Sequence, residues 1–74
     1  MTGHEYQKII DRLGLSQIAS ARFFGVSDKT AQRWISEKHR IPPAVSMLLR
    51  SMVHYGLTPD NVMAIARRDR VASR

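Results

Sequence analysis

Residues 17–36 read Gln17-Ile18-Ala19-Ser20-Ala21-Arg22-Phe23-Phe24-Gly25-Val26-Ser27-Asp28-Lys29-Thr30-Ala31-Gln32-Arg33-Trp34-Ile35-Ser36. The pattern predicts two short helices with a sharp bend between them. Ser16 and Ser27 each stand just ahead of a helical run, where a hydroxyl oxygen accepts from an orphan backbone N–H. Gly25 falls at the bend, which requires a residue tolerant of positive φ. Helices that cross steeply touch closely, so the contact residue on the first must be small, and Ala21 supplies it. Phe24 and Val26 flank the bend and pin it to a core. On the second helix Ala31, Trp34 and Ile35 are the inner residues, while Ser27, Asp28, Lys29, Thr30, Gln32, Arg33 and Ser36 are polar.

Outward from this stretch, apolar residues recur mostly at helical spacing and no run alternates as a strand would. A first helix is expected from Gly3 to Leu13, with Thr2 and Glu5 at capping-box spacing and an apolar stripe of Tyr6, Ile9, Ile10 and Leu13. The second should start after Ser16, end near Phe24, and turn Ile18, Ala21 and Phe24 toward the core. The third should run from Ser27 to about Lys38, followed by a loop at His39-Arg40-Ile41. Pro42-Pro43 opens a fourth, where the first N–H groups are unpaired anyway, with a stripe of Val45, Leu48, Leu49 and Met52. Thr58 caps a fifth, Leu57 and Val62 stand at staple spacing, and Val62, Ile65 and Ala66 form a short apolar face. Met47, Met52 and Met63 lie at helical spacing among apolar residues and read as core, with some available to face a dimer partner. The expected fold class is all-α, a compact bundle of about five short helices. Residues 1–66 form one domain, and residues 67–74 form a basic C-terminal tail beginning Arg67-Arg68.

A chain of 74 residues has room for one small core, and a domain near this size buries only about 60% of its unfolded surface. Many such folds gain stability by dimerising. With no cysteine, disulfides and thiolate metal sites are excluded. His4, His39 and His54 share no i, i+4 pair, so no zinc site is expected. Carboxylates are scattered, Ser16, Ser20, Ser27 and Ser36 lack a plausible base, and no glycine-rich phosphate loop is present. The expectation is a protein that is not an enzyme and needs no cofactor. No stretch reads as a signal peptide or membrane span, which predicts a cytoplasmic protein. Twelve Lys and Arg against six Asp and Glu give a net charge of +6, and arginine dominates the cations. That excess points to a polyanionic partner.

The small Ala21, the turn glycine and the apolar positions, at this mutual spacing, resemble the helix-turn-helix of the Cro and phage-repressor-like family. The five-helix layout is similar over about residues 3–66, with Trp34 standing where an aliphatic residue is more usual. The resemblance implies a DNA-binding regulator that acts as a homodimer on double-stranded DNA. The first half of the third helix would enter the major groove. Ser27, Asp28, Lys29, Gln32 and Arg33 would then face bases or the nearest phosphates, with Gln17, Arg22, Thr30, Ser36, Lys38, His39 and Arg40 as phosphate contacts. Size and layout are also similar to antitoxin-type autoregulators and to anti-CRISPR-associated repressors. Two other readings remain: a protein-binding adaptor on an inert helix-turn-helix scaffold, and an RNA-binding regulator. The second is disfavoured because Tyr6, Phe23, Phe24 and Trp34 fall mostly on predicted inner faces, away from bases they would stack on.

Overall fold

The computed structural model describes the backbone of residues 1–72 and the side chains of residues 1–68. Five helices follow in order: α1 (Gly3–Arg12), α2 (Gln17–Phe24), α3 (Asp28–Ile35), α4 (Pro43–Tyr55) and α5 (Pro59–Ala72). The described residues contain no strand, so the all-α class holds.

Four of the five helices start where a side chain supplies a partner for a first-turn N–H, and α4 starts at a proline instead. Thr2 and Glu5 form a reciprocal capping box on α1. Ser16 accepts from Ala19 N–H at 3.0 Å, and Ser27 from Thr30 N–H at 3.2 Å. Pro43 opens α4, where its missing N–H costs nothing. Thr58 and Asn61 exchange backbone-to-side-chain bonds at the start of α5.

The core forms where α1, α2 and α3 meet. Tyr6, Ile10, Trp34, Ile41 and Leu49 make one buried cluster. Tyr6, Phe24 and Trp34 bring one ring from each of the three helices, with centroids 5.7 to 6.5 Å apart and tilted or edge-on planes. Such geometry adds about 0.5–1.5 kcal/mol per pair beyond the area buried. Leu49 brings α4 into the cluster, and Met52, on the same helix, is also fully buried.

Four expectations need correcting. α3 stops at Ile35, not near Lys38, because Glu37 takes a left-handed backbone (φ 61°) and turns the chain out. α5 does not end near Ala66 but continues to Ala72, so Arg67 and Arg68 belong to a helix and not to a separate tail. Ile18 is 50% exposed, not core; the inner face of α2 is held instead by Ser20 and Ala21, both fully buried, with Phe24 beside them. Of the three methionines read as core, Met52 is buried but Met47 is 69% exposed and Met63 39%.

Candidate nucleic-acid interface

The bend between α2 and α3 is a hydrogen-bonded cap. Gly25 sits at φ 71°, ψ 30°. Its N–H bonds the Arg22 carbonyl at 3.1 Å, and Val26 N–H bonds the Ala21 carbonyl at 2.9 Å. These two bonds close the Schellman arrangement, and they require the left-handed residue that only glycine adopts without penalty. Ala21 and Ala31 are both fully buried, and α2 and α3 make the most extensive helix pairing in the fold. Helix, tight turn and crossing helix are therefore consistent with a helix-turn-helix.

α3 has two faces that share no residue. Ala31 and Trp34 are buried, with Ile35 half-buried beside them. Asp28, Lys29, Gln32 and Arg33 are all exposed. Lys29, Gln32 and Arg33 line one shallow depression together with Ser36 and Lys38. The sequence-predicted residues thus gather a lysine, an amide and an arginine on one outward surface, with a second lysine at its rim. Asp28, the one acid in the first turn, is favoured there by the positive end of the helix dipole.

Other predicted residues are differently placed. Ser27 is exposed but engaged, since its oxygen accepts the Thr30 N–H and lies 3.0 Å from the Thr30 hydroxyl. The Ser36 hydroxyl donates to the Arg33 carbonyl at 3.4 Å. Gln17 is half-buried in the first turn of α2, and Arg22 is exposed at its end. His39 and Arg40 line a separate depression with Gly3, Trp34 and Glu37, so they do not join the surface around Arg33.

The end of α3 is fixed more firmly than its length suggests. The Arg33 carbonyl accepts from Lys38 N–H at 2.9 Å and His39 N–H at 3.2 Å, and Glu37 N–H bonds the Trp34 carbonyl at 3.2 Å. Gly3, the first residue of α1, lies directly on the last turn of α3. A Cβ at Gly3 would fall on the Ile35 carbonyl group and 2.8 Å from the Trp34 carbonyl oxygen. Only hydrogen fits, so the two backbones touch with no side chain between them.

A buried polar chain holds the other side. The Tyr6 hydroxyl donates to Ser20 Oγ at 2.8 Å, and Ser20 Oγ donates to the Gln17 carbonyl at 2.7 Å. Tyr6 and Ser20 are fully buried. Burial pushes the Tyr6 phenol above its usual ionisation range, against the opposing effect of its bond to Ser20. The chain ties α1 to the first turn of α2. Ser20 was invisible as a structural residue in the sequence, where a serine amid helical positions carries no sign of its depth. The one available signal was its spacing, one residue before the small contact residue Ala21.

Among the described residues no group of His, Asp or Glu side chains has metal-binding geometry, and no helix is long and apolar enough to cross a membrane. Comparison with known protein families, with curated proteins and with solved structures finds no match for this chain.

Proposed function

We propose that this chain is a sequence-specific DNA-binding transcriptional regulator, a repressor of the autoregulatory, phage or mobile-element type, that binds an inverted-repeat operator as a symmetric dimer. The observation that carries the reading is the outward face of α3, where exposed Lys29, Gln32 and Arg33 share one surface on a helix locked from behind. The net charge of +6 and the resemblance to Cro-like helix-turn-helix proteins support it.

In this reading α3 enters the major groove. The Arg33 guanidinium forks onto guanine O6 and N7, the Gln32 amide onto adenine N6 and N7, and Lys29 serves a guanine or a phosphate. Ser27, whose oxygen is already committed to Thr30, acts first as the helix cap. Lys38 and the first-turn backbone of α2 at Gln17 hold phosphates and set the register without reading sequence. Two such heads about one DNA turn apart read the two halves of the operator, and occupancy blocks polymerase.

The test is selection of bound sequences from a random duplex pool, followed by a salt titration on the winner. Enrichment of a two-fold-symmetric site is expected. A dimer touching about 8 phosphates gives a log–log salt slope near −7. A pool that enriches nothing, or binding that ignores salt, overturns the reading.

A further inference from the structure

α1 and α3 meet at one point with no side chain between them. Gly3 is buried in the first turn of α1, against the last turn of α3. A Cβ there would lie 2.7 Å from the Ile35 carbonyl carbon and 2.8 Å from the Trp34 carbonyl oxygen. Carbon makes comfortable contacts at about 3.5–4.0 Å, so a methyl group would force the two backbones apart by more than about 0.5 Å.

Neither backbone can yield locally. On the α1 side, the Thr2–Glu5 capping box brackets Gly3. One turn on, the Tyr6 hydroxyl is bonded to Ser20 and the Tyr6 ring stands edge-on to Trp34 with centroids 5.7 Å apart. On the α3 side, the Arg33 carbonyl takes the N–H groups of Lys38 and His39, and the Trp34 carbonyl takes that of Glu37. A push at this contact therefore moves one whole helix against the other.

We propose that Gly3 is a positioning residue for the reading face: its missing side chain sets where α3 stands against the body of the domain, and with it the sequence discrimination of Gln32 and Arg33. The inference rests on the DNA reading proposed above. Trp34 and Ile35 directly follow Arg33, and α3 is a rod of about two turns. A displacement imposed on their carbonyls is thus carried to Gln32 and Arg33 with little loss. A binding constellation tolerates about 0.5 Å, which the displacement exceeds. A bidentate fork on a base needs distance and plane together, whereas Lys38 on a phosphate is a point charge on a flexible stem. Moving α3 therefore removes base discrimination and leaves backbone affinity. A change that merely unfolds part of the population lowers both affinities alike.

The readout is the ratio of affinities for the selected operator and for a random duplex, at one salt concentration. Gly3→Ala should lower that ratio about tenfold, the scale of one bidentate base contact, with affinity for random duplex and the salt slope unchanged. Two further variants separate position from stability. Gly14→Ala is strained at φ 77° with open space around it; it should lower Tm and keep the parent's ratio. Glu37→Gly relaxes a left-handed residue that is not glycine. Combined with Gly3→Ala it should raise Tm without restoring the ratio, and it carries the comparison if Gly3→Ala alone melts below the assay temperature.

Parental discrimination in folded Gly3→Ala, or in the double variant, overturns the proposal. So does an equal loss of discrimination in Gly14→Ala, since stability alone would then set the ratio. A parent that binds its operator no better than random duplex overturns the DNA reading itself, and the role of Gly3 with it. The two failures are thus distinguished by the parent's own ratio.

Discussion

Removing the Ser20 hydroxyl should cost more stability than removing the Tyr6 hydroxyl that points at it. The Tyr6 phenol donates one bond, to Ser20 Oγ, and has no other partner; Ser20 Oγ both accepts that bond and donates its own proton to the Gln17 carbonyl. Tyr6→Phe leaves Ser20 still donating, with only an acceptor position empty, and should cost about 1 kcal/mol. Ser20→Ala strands a fully buried phenol O–H, removes the bond to Gln17 and leaves a small void, for about 2–3 kcal/mol. The double variant removes both polar atoms together, so its cost should fall well short of the sum, at about 1–2 kcal/mol. The coupling of about 1–3 kcal/mol is the quantity of interest. For a chain of 74 residues whose whole stability is about 4–11 kcal/mol, Ser20→Ala should lower Tm by roughly 10–20 °C. Urea denaturation of the four proteins, followed by helical circular dichroism, gives all three differences. If Ser20→Ala costs no more than Tyr6→Phe, or if the two costs add, the buried hydrogen-bond chain is not what holds α1 to α2.

Gly3→Ala should destabilise by about 1–3 kcal/mol or more, because the new Cβ meets backbone that cannot swing aside; thermal melting checks it, and an unchanged Tm would mean that α1 and α3 do not touch there. Arg33→Ala should weaken operator binding by about 1–3 kcal/mol and relax preference at one base pair; an equal loss on random duplex would make Arg33 a phosphate contact. Because the folded Tyr6 phenol ionises above the value of 10.0 that an exposed tyrosine has, the unfolded chain releases that proton first as pH rises. The associated stability is present below pH 10 and is lost above it. Melting temperature should therefore fall as pH rises above 10, and Tyr6→Phe should flatten that fall.

Much of the fold was legible because its determinants are local. Thr2, Ser16, Ser27, Pro43 and Thr58 mark helix starts by chemistry that acts within one turn. Gly25 and the paired alanines mark the bend in the same way. What was missed depends on partners distant in sequence. Nothing near Ser20 announces a phenol fourteen positions upstream. Ile41 sits in a loop, yet it is buried because α1 and α4 close over it. Ile18 and Ala21 share a helical stripe, but the steep crossing of short helices covers only the smaller residue. Glu37 ended α3 early by adopting a conformation that its side chain disfavours, which no propensity pattern signals. On the candidate surface, the outward position of Lys29, Gln32 and Arg33 followed from period alone. The parting of His39 and Arg40 from them followed from the early stop of α3.

The separation of the two faces of α3 bears on how such a protein changes over time. Everything that seats the helix acts through Ala31, Trp34, the Ile35 carbonyl against Gly3, and the turn at Gly25. None of these residues is among those that face outward. Substitutions at Lys29, Gln32 or Arg33 therefore carry almost no folding penalty, and a lineage can explore new targets at these positions without first acquiring stabilising changes elsewhere. The same independence makes the domain a ready scaffold for laboratory libraries randomised at those three positions.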